Sequence, residues 1–410
     1  MRGLKKWISD VFRMWKDEFH NCITDGGVIL FFIVLPLAYP IVYTAIYNPE
    51  VVRDINVVVV DNCRSADSRQ FTRMAGATEN IHIIGYASSM DDAREAMAQK
   101  ECYAILEIPE DFSRRIGRNE QAFVQFYSDA TLLIRYRGLL MSLSDVSMAM
   151  GAEIRQQKID AAGELVSGLG MTGMPTENKA VFLGNPQQGF ASFAIQAILV
   201  FILQQSLILG VCMLAGGRRE RRAKYGYDPR YVNASPSAAV VGRTITHTTF
   251  YLPTLIYILY CVPYFFSLPQ NGSLIHYLTF MIPMIIASSL LGQVLQAFVK
   301  ERETSLLVIV FMSVVFLFLS GITWPRFAMP WYWRGLGDLI PGVWGVEGFV
   351  HMNANGADLS QVMKPYRMMW ILALVYFVVA VILQRRERRV QRAGESEIQH
   401  EETTENTVTE

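Results

Sequence analysis

The chain of 410 residues is 51% hydrophobic and balances 37 basic against 37 acidic residues. It is too long and too apolar for one soluble core, so a membrane protein is the first expectation, and no nucleic-acid partner is expected. Its five cysteines, Cys22, Cys63, Cys102, Cys212 and Cys261, lack metal-ligand spacing.

Residues 3–20 place Leu4, Trp7, Ile8, Val11, Phe12, Trp15 and Phe19 at helical spacing, with Lys5, Lys6, Arg13, Lys16 and Asp17 mostly on the other side. This predicts an amphipathic helix in the membrane plane, with packing on a soluble partner as the alternative. Residues 28–47 are 20 uncharged residues, enough to cross a hydrocarbon core of about 30 Å, kinked by Pro36 and Pro40. No small-residue cleavage site follows them, so no cleavable signal peptide is expected. From residue 49 to about 188, β-rich runs at 55–60, 81–84, 103–108 and 122–127 alternate with polar helical stretches such as 64–75 and 91–99. That alternation predicts a small α/β domain with partly parallel strands. A Cys63–Cys102 disulfide is conceivable there, two ordinary buried thiols being the favoured alternative. A long helical pattern from 129 to about 168 and the linker GLGMTGMPTENKA return the chain to the membrane.

Apolar segments follow at 190–214, 238–266, 274–298 and 306–322, and the last at 368–383; the fourth of these rests on about 17 residues. The expected fold is an α-helical polytopic membrane protein of six spans, with the α/β domain inserted between spans one and two. Its basic segments are residues 1–27, the link from Arg218 to Arg230, Lys300 with Arg302, and the run from Arg385 to Arg392. All four fall on one side of that arrangement, which the positive-inside rule assigns to the cytoplasm. Both termini are then cytoplasmic in a cell inner membrane, and the insert lies outside. The acidic, Ser/Thr-rich tail, part of the segment 385–410, is expected to be disordered beyond Ala393.

Between spans five and six, residues 320–349 hold Pro325, Pro330 and Pro341, six glycines and four of the seven tryptophans. Prolines and glycines end helices, whereas Trp prefers the membrane boundary. The stretch therefore reads as re-entrant over 321–349, breaking near 330–337, with Trp324, Trp331 and Trp333 at the outer interface and Glu347 in a protein-lined setting.

No phosphate loop, H-E-x-x-H or G-x-S-x-G occurs, so no catalytic, cofactor or metal site is expected on this chain. Gln196, Gln204 and Gln205 in span two and His247 with Arg243 in span three are intramembrane polar residues, lining a pathway or joining helices by hydrogen bonds. The segment GGRRERRAKYGYDPRYVNAS from Gly216 carries Arg218, Arg219, Arg221, Arg222, Tyr225, Tyr227, Asp228 and Arg230. It suits docking of a cytoplasmic protein, with a topogenic loop on anionic membrane lipid as the alternative.

An amphipathic N-terminal helix, one span, a large insert, five further spans and a Gly/Pro/Trp-rich stretch before the last together resemble the permease subunits of ATP-binding-cassette type-2 exporters, over residues 1 to about 385. The most specific part is Gly321-x-x-x-Pro325, Pro330, Leu339-Ile340-Pro341 and Glu347-Gly348; CYAILEIPEDFS from Cys102 is similar to the external domain of the larger-insert members. The resemblance implies a pair of permease chains, a cytoplasmic ATPase subunit holding ATP and magnesium, coupling through Arg218 to Arg230, and a connector helix over 1–27. A periplasmic adaptor is a further candidate partner. The implied activity is export of a hydrophobic or amphipathic small molecule. Different readings are a receptor or scaffold acting through the 48–189 domain, and a secondary transporter, which the absence of carboxylates within the first five spans opposes.

Overall fold

The computed structural model describes residues 2–48, 52–118, 120–129, 131–162, 185, 189–299 and 301–408. The sequence-predicted linker around 168–180 lies outside them. The chain divides into two units, Met1–Asn48 with Phe182–Glu410, and Pro49–Val181. The first opens with α1, Arg2–Thr24, and α2, Gly26–Tyr47, which holds one π-turn at Leu30–Val34. Asp25 begins α2 by accepting from the Gly27 and Val28 amides.

The second unit is built on four strands, β1 (Ile55–Asp61), β2 (Ile81–Tyr86), β3 (Ala104–Ile108) and β4 (Gln125–Ser128). Between them run α3 (Ala66–Gly76), α4 (Met90–Ala98) and α5 (Phe112–Gly117), and α6 (Leu133–Ala162) follows. The sheet order is β2-β1-β3-β4, with β1 parallel to both neighbours and β4 antiparallel to β3. Helical crossovers cover both faces, which is why β1 is almost continuous valine. Val57 and Val59 pack with Phe71, Leu106 and Leu139 on one face, while Val58 and Val60 pack with Ala93 and Ile105 on the other. Cys63 and Cys102 are both free thiols.

The first unit resumes with α7 (Phe190–Tyr225), α8 (Pro236–Phe265), α9 (Leu274–Leu295), α10 (Arg302–Leu319), α11 (Trp331–Asp338), α12 (Pro341–Asn355) and α13 (Met363–Val408). Five helices among the described residues, α2, α7, α8, α9 and α13, are long and apolar enough to cross a membrane; in α10 the apolar part is Val310–Leu319. The molecule is a polytopic helical membrane protein.

Three expectations are corrected. The residues from Gly216 to Tyr225 are the last turns of α7, not a loop. Their two glycines face the start of α10, and a Cβ on Gly216 would stand 3.0 Å from the Arg302 Cα. The re-entrant stretch breaks at Leu339–Ile340 instead of 330–337. Ile340 is extended ahead of Pro341, as a residue before proline prefers, and Pro341 opens α12. The tail beyond Ala393 continues α13 instead of being disordered: Gln391 reaches Glu395 one turn on at 3.1 Å, across Gly394, where a Cβ would stand 2.6 Å from the Gly226 carbonyl oxygen.

Candidate functional site

Helix α1 turns its polar stripe inward. Asp10, Met14, Glu18, Asn21 and Cys22, at three- and four-residue steps, are buried against the helical unit, while Leu4, Ile8, Phe12 and Ile23 are exposed. That inversion suits a helix whose outer face meets lipid. Its close seat on α8 depends on Gly242, where a Cβ would stand 2.8 Å from the Val11 carbonyl oxygen. Asp10 accepts from the Ser235 amide at 3.2 Å, and the Trp7 indole donates to the Ser237 hydroxyl at 3.1 Å.

Glu18, 1% exposed, gathers two arginines and a histidine from two other helices. Arg218 of α7 donates to its carboxylate at 3.0 and 3.3 Å; Arg243 and His247 of α8 lie 3.7 and 3.6 Å away. Burial alone would raise the Glu18 carboxyl, but Arg218, His247 and Arg243 outweigh it and hold it below the usual carboxylate range. Each of the three is held from behind by a neutral partner: Arg218 by Gln296, Arg243 by Gln384 at 2.8 Å and His247 by the Ser289 hydroxyl at 2.7 Å. One carboxylate thus ties α1 to α7 and α8, and through Gln296, which caps α9, and Gln384 to the end of α9 and to α13.

The turn after α7 is built from the same chemistry. Gly226 ends the helix with φ 75, a left-handed cap. Arg221 grips Asp228 with two hydrogen bonds, at 2.8 and 3.1 Å, and Arg222 lies 3.5 Å from Glu387. Gln391 of α13 accepts from the Asp228 amide and donates to its carbonyl, both at 3.1 Å. Arg219 donates to the Ala297 carbonyl at 3.3 Å. Arg218 and Asp228 are therefore interior residues that shape the turn, a correction to their expected place on an exposed docking loop. Lys224, Tyr225, Pro229 and Arg230 remain exposed and Tyr227 is half-buried.

The Trp-rich stretch centres on Arg326, which sequence reasoning passed over. It pairs with Asp338 and with Glu347, the latter at 2.9 Å, and its guanidinium lies 5.0 Å from the Trp344 ring centroid. Gly321, at φ +93, turns the chain beneath it. Pro325 and Pro330 stand directly before the short helical turn Arg326–Ala328 and before α11. Trp324, Trp331 and Trp333 are exposed. Pro341 is buried, and the next amide, Gly342, donates to the Gln204 side chain, so α7 caps α12. Gly345 and Gly348 continue that seat: a Cβ at Gly348 would stand 2.0 Å from the Phe280 ring of α9.

The sequence-predicted polar residues thus separate. Gln204 and His247 join helices, whereas both amide atoms of Gln196 and of Gln205 are buried with no partner among the described residues. Gln205 lines a groove of about 370 Å³ with Tyr39 and Tyr43 of α2 and Val310 and Leu317 of α10. Glu18 went unnoticed, although its position three residues after Trp15 and seven after Val11 puts an acid beside the apolar stripe.

No curated protein matches the chain. The sequence profile of the ABC-2 family transporter proteins matches residues 27–382, from the start of α2 into α13, and the chain belongs to that family, whose members are membrane permease subunits that work with an ABC ATPase subunit.

Proposed function

We propose that this permease exports a hydrophobic or amphipathic small molecule, drug-like or lipid, with ATP and magnesium bound and turned over on a separate cytoplasmic subunit and no cofactor or hydrolysis on this chain. The observation that carries the reading is the groove between α2, α7 and α10. It pairs an apolar wall with the unpartnered Gln205 amide, and a polar group buried at a cost is expected where cargo passes. The outward face of α10, with Leu307, Phe311 and Val314 exposed, suits a second permease chain closing a shared pathway; α10 is then the fifth of six spans. Lysine and arginine distribution favours both termini in the cytoplasm, an inner-membrane location, and the α/β unit on the outer side, accessible to a periplasmic adaptor.

In this reading the ATPase subunit meets Lys224, Tyr225, Pro229 and Arg230, and the buried Glu18 cluster passes its movement from α1 and the α7 turn into the spans. Reconstitution with candidate ATPase subunits tests it. The double variant Lys224→Glu, Arg230→Glu is expected to lower permease-stimulated ATP hydrolysis about tenfold at unchanged thermal stability. Failure of any ATPase to associate, or a rate indifferent to the double charge reversal, sinks the coupling assignment.

A further inference from the structure

The α/β unit holds a second cavity whose binding chemistry is independent of the transport reading. It measures about 430 Å³ and lies between α3, α5 and α6, within the range of roughly 300–1,000 Å³ typical of small-molecule sites. Phe71, Phe112, Ile116, Val124, Met150 and Ile154 make its apolar wall. One face of α6 supplies Ser147, Gly151, Arg155 and Lys158 to the same space. Glycine inside a helix weakens it relative to alanine, yet no atom lies within 4 Å of where a Gly151 Cβ would stand. Packing therefore does not demand glycine at 151; its missing side chain keeps the cavity open. Arg155 donates through Nε to the Gly151 carbonyl at 3.2 Å and makes no ion pair among the described residues, and Lys158 donates to the Ile116 carbonyl at 2.8 Å. Among the described residues that line the cavity, Arg155 and Lys158 are basic and Glu120 is acidic.

We propose that this cavity binds a single-chain amphipath with an anionic head, its alkyl chain among Phe71, Phe112 and Ile154 and its head on Arg155 and Lys158. Burial of the chain drives binding, and the planar guanidinium suits a carboxylate or phosphate head.

The test uses the full chain in lipid nanodiscs, a medium-chain fatty acid carrying a diazirine, and the methyl ester of that probe, with cross-links mapped by mass spectrometry. Saturable labelling of α6 around Met150 and Ile154 is expected. Gly151→Leu, which grows into the open space, should cut this labelling about tenfold while the melting temperature stays level or rises. Arg155→Ala should weaken capture of the acid about tenfold and leave the ester unchanged. Label confined to the apolar helices, refusal of the probe by the wild-type chain, or equal labelling of Gly151→Leu overturns the site. Acid and ester responding alike to Arg155→Ala overturns the anionic head.

Discussion

Helix α7 is held in two ways along its length. At Arg218 it joins α1 and α8 through buried charge, and at Gln204, about 21 Å earlier at 1.5 Å per residue, it joins α12 where glycines let backbones approach. The Glu18 and Arg218 side chains are 1% and 8% exposed, whereas Asp338 and Glu347, the partners of Arg326, are 39% and 33% exposed. Charges taken wholly out of water need every partner present, because each one lost strands another. A glycine seat needs only the absence of a side chain, and the half-exposed ions beside it retain water as a substitute partner. The end nearer the proposed ATPase contact should therefore respond to loss of a charge, and the Trp-rich end to gain of a methyl group.

Glu18→Gln is the strongest test of that contrast. It takes from Arg218 and Arg243 their nearest counter-charge, leaving the more distant Glu387, and is expected to cost about 3–5 kcal/mol, read as the thermal unfolding of purified protein. Arg218→Met on the Glu18→Gln background should cost far less than Arg218→Met alone. Strict additivity of the two losses would show that the residues are not one cluster.

Gly348→Ala probes the other end. Its new methyl would overlap the Phe280 ring, and overpacking of this kind costs about 1–3 kcal/mol. Gly335→Ala, in the neighbouring α11, has nothing within 4 Å and should instead gain up to about 1 kcal/mol from helix propensity. If both glycines behave alike in the same unfolding assay, close approach is not what holds α12 to α9.

These two ends were unequally legible in the sequence. Short β-rich runs and long uncharged runs revealed the strands and the five long apolar helices, because those signals are local. The polar side of α1 was legible as polar but not as the buried side, since facing Arg218 and Arg243 requires contacts about 200 residues away. The segment from Gly216 reads as a loop in the sequence for the same reason: what Gly216 and Gly217 accommodate is Arg302 of α10, a neighbour that periodicity does not reveal. Within the Trp-rich stretch, proline and glycine announced a break, and the observed choice of Leu339–Ile340 follows from α12 docking its first amides on Gln204.

Arg326→Ala should move stability less than either change above. Its ion pairs are open to water and such pairs contribute about 1 kcal/mol or less. Export, in contrast, should fall, because the residue links the Gly321 turn, Asp338, Glu347 and the Trp344 ring. Arg326→Lys should not restore it, since a single ammonium cannot span two carboxylates while lying flat on an indole. Full transport by the lysine variant in proteoliposomes would reduce Arg326 to a point charge.

The smallest effect is in pH dependence, and its sign separates the two ends. The Glu18 carboxyl is held below its ordinary range, so its contribution is complete above the unfolded value of about 4.3 and is lost as pH falls through the lowered folded value. Between about pH 5 and 8 the stability gap between wild type and Glu18→Gln should stay constant, and below about pH 4 it should narrow as the wild type loses its advantage. A gap that instead changes between pH 6 and 7 would mean that an imidazole carries the dependence, with His247 and not Glu18 as the group whose protonation the cluster controls.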